Sequence, residues 1–203
     1  MEAPNADLSY DAGETEPPLL RQTIPQNLAG TVARCPEQEA LVDVVAGRRW
    51  TYAQFHHDVR ALATGLHRLG VRTGDRVGIW GPNTWQWTLV QYATAELGAV
   101  LVNINPAYRS HELAYVLRQS GISTVVAHPR FRSSDYPGML DEVGDGCPDL
   151  CRVVVMGTAG WDEPASADVD EALLAGIAAG LDPEDPINIQ YTSGTTGFPR
   201  ARR

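Results

Sequence analysis

Apolar residues along the chain follow two rhythms: short unbroken runs, and longer stretches in which they return every third or fourth position. The second rhythm is clearest in Tyr52, Phe55, Val59, Leu62, Leu66 and Leu69 before Gly70, with Thr51 and Gln54 at the spacing of a capping box. It predicts an amphipathic helix whose first turn is closed by reciprocal side-chain bonds. An earlier helix is predicted over residues 23–34, and ALVDVV and RRWTY around Ala46-Gly47 predict a β-hairpin over 40–50. Downstream, RVGIWG reads as a buried strand, Pro82-Asn83-Thr84 starts a helix through Trp85, Trp87, Leu89, Tyr92 and Leu97, and AVLVNIN is the next strand. Ser110, Leu113 and Leu117 mark a helix ending at Gly121; STVVAH is a strand, 136–143 a weaker helix and CRVVVMG a further strand. An acidic linker over 161–170 and a helical VDEALLAGIAA lead to the last apolar run, INIQY. Alternation of this kind means βαβ units, so the expected class is α/β, a mostly parallel sheet with helices on both faces. With no strand pattern after INIQY, that strand is expected to form an open edge through which copies of the chain could self-associate.

Composition narrows the function classes. The 203 residues are 43% hydrophobic and 20% charged, enough chain to bury about 70% of its unfolded surface. A formal net charge of −9 argues against a nucleic-acid or anionic-membrane partner, which demands a cationic footprint. No stretch supplies the roughly 18 apolar residues of a membrane span. The opening residues are acidic and lack the apolar segment of a signal peptide, so 1–22 is expected to be a mobile leader and the location cytoplasmic. Three cysteines, Cys35, Cys147 and Cys151, cannot all pair, which fits a reducing compartment, and Cys147 with Cys151 are too few for zinc. His56, His57 and His67 on or beside the long helix are expected to be packed or solvated helix residues rather than ligands.

The candidate chemistry lies in YTSGTTGFPR, residues 191–200. Thr192, Ser193, Thr195 and Thr196 place hydroxyls beside Gly194 and Gly197, where a missing Cβ lets backbone N–H groups turn toward an anion. Arg200 would add charge-assisted contacts to the same phosphates. The run lacks the Gly-Lys-Ser/Thr of a Walker loop, which disfavours an ordinary P-loop nucleotidase. INIQY running straight into it would deliver a phosphate loop beyond the carboxyl end of a strand, where ligands gather in open α/β sheets.

This stretch closely resembles the Tyr-Thr-Ser-Gly-Thr-Thr-Gly-x-Pro-Lys-Gly motif of the adenylate-forming superfamily, departing only at Arg200 for Lys and Ala201 for Gly. WTYAQF, GVRTGDRVGIWGPNTWQW, ELGAVLVNINPAYRSHELAYVL and PEDPINIQYTSG extend the resemblance upstream to about Leu28, toward fatty-acyl and medium-chain acyl-CoA synthetases. The resemblance implies an AMP-forming ligase that joins a carboxylic acid to coenzyme A through an acyl-adenylate, using ATP and Mg²⁺. It implies that Thr192, Ser193, Gly194, Thr195, Thr196 and Gly197 hold the β- and γ-phosphates, with Thr195 also reaching the metal. Residues 23–203 would be a partial, incomplete N-terminal subdomain of such an enzyme, truncated after the phosphate loop and inactive alone. The other reading is a non-catalytic remnant or a weak phosphate-binding and interaction module. Loss of one base from codons for Lys-Gly-Ala-Thr would yield Arg-Ala-Arg-Arg, the residues at 200–203, and on that expectation Arg200 is out of frame. Tyr108, Arg109 and His111 within NPAYRSHEL are expected to be packing or surface residues.

Overall fold

The computed structural model describes residues 13–14, 16–192 and 200–202. The chain begins with α1 (Ile24–Arg34), then a hairpin of β1 (Glu39–Asp43) and β2 (Arg48–Thr51), then the long helix α2 (Tyr52–Arg68). Both helices start on a reciprocal box, Thr23 with Gln26 and Thr51 with Gln54, so two orphan N–H groups are satisfied at each start. Gly47 turns the hairpin at φ 64°, a left-handed conformation that costs glycine nothing.

The α/β body follows: β3 (Arg76–Trp80), α3 (Trp85–Glu96), β4 (Val100–Ile104), α4 (Ser110–Ser120) and β5 (Thr124–Ala127). Two short paired strands, β6 (Arg130–Phe131) and β7 (Ser134–Asp135), precede α5 (Tyr136–Gly144), β8 (Arg152–Val155), α6 (Ala159–Ala165) and α7 (Glu171–Ala178). β9 (Asn188–Thr192) and β10 (Arg200–Arg202) complete the described chain. The main sheet has the order β10-β9-β4-β3-β5-β8, with the five strands from β9 to β8 parallel and β10 antiparallel to β9.

The connection from β3 to β4 moves one way along the sheet and that from β4 to β5 moves back past β3. Right-handed crossovers must then place α3 and α4 on opposite faces. The core obeys this. Val77, Ile79, Leu101, Val126 and Val154 point to the face covered by α2 and α3, where Leu62, Leu66, Leu89, Val90 and Ala93 meet them. Val100, Val102, Ile104, Val125 and Ile189 point to the other, against Leu113, Val116 and Leu117 of α4 and Leu140 of α5. Successive strand residues thus alternate between two buried faces, which is why the strands read as unbroken apolar runs.

Two expectations are corrected. The stretch read as an acidic linker over 161–170 contains α6, in which Trp161 is 2% exposed and Pro164 is also buried. Its polar residues and interior proline conceal a helix that is held by docking on α2 rather than by its own propensity. Nor is β9 an edge: β10 runs back along it, pairing Arg200 with Thr192, Ala201 with Tyr191 and Arg202 with Gln190. β10 covers the outer side of Gln190, Tyr191 and Thr192, leaving β10 and β8 as the end strands among the described residues.

The hairpin is fastened to the body by one carboxylate. Asp43 Oδ1 accepts from Ala46 N at 2.8 Å and Oδ2 from Trp85 N at 3.2 Å, so the same side chain closes the hairpin turn and caps α3 beside Thr84. Asp43→Ala is expected to cost about 1–2 kcal/mol, the range of an N-cap loss. Asp43→Asn, which retains an acceptor, should recover part of it in urea denaturation; equal stability of all three proteins would contradict the dual role.

Candidate functional site

In a parallel sheet all carboxyl ends lie together, so the loops leaving β3, β4, β5 and β8 share one side of the molecule with the carboxyl end of β9. β9 pairs in parallel with β4 in the register Leu101 to Asn188, Val102 to Ile189 and Asn103 to Gln190. The side chains of that last pair also meet, Asn103 Nδ2 donating to Gln190 Oε1 at 3.5 Å. The sheet therefore carries the chain to Thr192 at its carboxyl end, and Arg200 is brought back as the register partner of Thr192. Ser193, Gly194, Thr195, Thr196 and Gly197, and with them the metal role of Thr195, lie outside the described residues.

The neighbouring loop after β4, with Asn105, Pro106, Ala107, Tyr108 and Arg109, is fixed from beneath. Trp80, at the end of β3 and fully buried, donates from its indole Nε1 to Asn105 O at 3.1 Å. Its ring stacks on Tyr136 with centroids 3.6 Å apart and planes 11° from parallel. Tyr136 in turn donates its hydroxyl to Pro106 O at 2.7 Å. Burial pushes the Tyr136 phenol up to about 12, so it remains a donor throughout the neutral range. Asn105 Oδ1 accepts from Ala107 N at 2.9 Å and completes a rigid turn at the strand end.

Tyr108, Arg109 and His111 take the packing and surface positions expected of them. Tyr108 is buried in the second core cluster, and His111 is exposed. Arg109 donates to Ser134 Oγ at 3.0 Å, and its backbone N–H to Glu112 Oε2 at 2.9 Å. Tyr191, the last side chain described before the loop, packs against this same cluster, and burial raises its phenol above the usual range. Trp80 and Tyr136 were not singled out from sequence as supports of a site. The available signal was an indole closing an otherwise aliphatic strand, a position where its N–H needs a partner.

Elsewhere the candidate ligands stay apart. His57 is exposed beside Asp58, while His56 is half-buried with its pKa lowered by burial and then by Arg60. Burial also raises the Cys147 thiol, whereas Cys151 is exposed. Among the described residues no group of three or more His, Cys, Asp or Glu is placed to hold a metal ion. Among them, too, no helix is long and apolar enough to cross a membrane.

A parallel sheet covered by helices on both faces, whose strand β9 runs into the hydroxyl- and glycine-rich segment of the sequence, defines the class as α/β. The chain belongs to the AMP-binding enzyme family, whose model matches residues 28–201. It is 38% identical over 218 residues to the mitochondrial medium-chain acyl-CoA ligase ACSF2 of Rattus norvegicus, covering 97% of this chain and 35% of that one. Among solved structures it resembles the long-chain-fatty-acid-CoA ligase FadD1 of Archaeoglobus fulgidus, with TM-score 0.72 and 26% identity over 96% of this chain and 39% of the other. The N-terminal domain of FACL13 from Mycobacterium tuberculosis matches with TM-score 0.72 and 25% identity over 89% of this chain and 43% of that one. The chain spans about a third of the length of the curated relatives it matches.

Proposed function

We propose that residues 23–203 are the N-terminal part of an AMP-forming acyl-CoA ligase, preceded by a leader over 1–22, and that its loop grips the polyphosphate of ATP. The observation that supports this reading is the parallel pairing of β9 with β4, which ends at Thr192, directly before the motif in sequence, in a chain matched to the family over 28–201. The complete enzyme would convert a fatty carboxylic acid and ATP to an acyl-adenylate and then to a thioester with coenzyme A, splitting one difficult acyl transfer into two easier steps. Thr192, Ser193, Gly194, Thr195, Thr196 and Gly197 would hold the β- and γ-phosphates through hydroxyls and glycine N–H groups, a donor set that suits phosphate oxygens. The Thr195 hydroxyl would also reach Mg²⁺, which when bound draws charge from the phosphates. Arg200, at the start of β10 opposite Thr192, would add a cation of fork geometry. We place the protein in the cytoplasm. Self-association through a sheet edge would use β8 or β10, the two end strands.

Phosphate contacts of this kind should give the chain a roughly millimolar affinity for Mg²⁺-ATP, about 4 kcal/mol, with ATP and GTP bound alike. Phosphorus NMR titration of the chain with each nucleotide tests it. Thr195→Ala should weaken binding, and Thr88→Ala, a substitution on the outer helix α3, should not. Absence of β- and γ-phosphate shifts, or equal binding by Thr195→Ala, would overturn the assignment.

A further inference from the structure

The elements α1, α2, α3 and α7 border a groove of about 260 Å³. Glu96, the last residue of α3, lines it and is only 6% exposed. Its carboxylate accepts no hydrogen bond and makes no ion pair within 4.0 Å among the described residues. An ionised carboxyl offers acceptor sites for several donors, and the Glu96 oxygens, which are not among the fully enclosed unpartnered atoms, leave theirs open to the groove. Arg60 across the groove attracts it, but the Arg60 guanidinium is already paired with Glu171 of α7 at 2.7 Å. His56 on α2 lines the same groove and is held toward its neutral form by burial and by Arg60.

Glu96 and Arg60 line the groove and Glu171 lies beside it on Arg60, so once Glu96 is ionised the local charge is one negative in excess. Leu174 and Ala178 of α7 give one wall an apolar surface. The volume exceeds the roughly 30 Å³ share of a single water several-fold. We propose that this groove binds a small alkylammonium cation, its N–H donors on the Glu96 carboxylate and its carbon chain along Leu174 and Ala178. An anion is disfavoured because it would have to displace Glu171 from Arg60 while facing Glu96. The site is independent of the phosphate loop and of the ligase reading.

The pH response has a defined sign. The titratable and charged groups lining the groove are His56 and Arg60 from α2 and Glu96 from α3, with His57 of α2 and Glu171 of α7 acting on them from beside it; α1 contributes only uncharged lining residues. Glu96 is raised above the usual carboxyl value, first by burial, with Glu171 adding and Arg60 opposing. Stability linked to protonated Glu96 is therefore fully present below the ordinary carboxyl value and lost as pH rises through the raised folded value. His56 is lowered, so its contribution is present above 6.5 and lost as pH falls through its folded value. Cation binding should strengthen as Glu96 ionises and weaken in acid.

The test is a thermal-unfolding series on the full chain above neutral pH with n-butylammonium chloride against sodium chloride at equal ionic strength, and with n-butanol. The expected result is a saturable rise with butylammonium alone, each tenfold excess over Kd adding about 1.4 kcal/mol, together with saturation transfer to the ligand methyl signal in NMR. Glu96→Gln should be more stable than wild type without ligand and show no response, so loss of binding is separable from loss of fold. Ala175→Phe, placing a ring at the exposed rim, should abolish the response with Glu96 retained. No rise over sodium chloride, an equal rise with butanol, or an undiminished rise in Glu96→Gln would each overturn the proposal.

Discussion

Trp80→Ala is expected to destabilise the chain by about 3–5 kcal/mol, the cost of emptying a large aromatic site in a core. Trp80 is 0% exposed at the end of β3, the strand between β4 and β5. Truncation removes the stack on Tyr136 and opens a cavity between the sheet and α5. It also deprives Asn105 O of its donor, an added penalty of about 1–3 kcal/mol where the carbonyl stays dry. Against a total stability of roughly 5–15 kcal/mol the variant should unfold at a much lower urea midpoint or lose its cooperative transition. Trp80→Phe keeps a ring on Tyr136 without the N–H and should lose less. The measurement is urea denaturation followed by far-ultraviolet circular dichroism and tyrosine fluorescence. A Trp80→Ala loss below about 1 kcal/mol would mean that Trp80 does not hold the strand-end loop in place.

A single methyl at Gly65 should do comparable damage. An ideal Cβ there would lie 2.5 Å from Pro164 Cα and nearer still to its carbonyl oxygen, so two backbones, not two flexible side chains, collide. α6 cannot simply retreat, because Trp161 anchors it in the core edge-on to Trp85, with centroids 6.2 Å apart and planes at 71°. Gly65→Ala is therefore expected to cost about 2–3 kcal/mol through overpacking, although alanine in a helix interior ordinarily gains up to about 1 kcal/mol over glycine. Gly30→Ala in α1 supplies the contrast. Its Cβ would meet only the end of Arg34 at 3.6 Å, and it should stabilise by roughly 0.5–1 kcal/mol. Paired thermal melts would read opposite signs, and two shifts of the same sign would refute the close approach of α2 and α6.

Both predictions turn on contacts between segments distant in the chain, whereas the elements themselves were legible along it. Thr51 with Gln54, Thr23 with Gln26 and Thr84 before Trp85 announce helix starts because a cap is a local bond between residues three apart. Apolar runs such as VGIW and VLVNI mark strands buried on both faces, and their alternation with helices is sufficient for an α/β class. The hydroxyl- and glycine-rich segment proposed to grip phosphate was legible for the same reason, since a motif of that kind is read from residue type over a few consecutive positions.

What lay beyond the sequence is what depends on distance in space. The order β9-β4-β3-β5-β8 is decided by crossover handedness and by which apolar faces fit, so β9 inserts beside β4 rather than following β8 at the sheet's end. α6 looked like a linker because a helix stabilised by burying Trp161 needs no strong local signal. The pairing of β10 along β9 was hidden in three polar or small residues, since backbone groups make that contact and carry no side-chain signature. Glu96, Arg60 and His56 read as ordinary helix residues; only the packing of α2, α3 and α7 turned one of them into a buried carboxylate facing a groove, because burial is a property of neighbours and not of the residue itself.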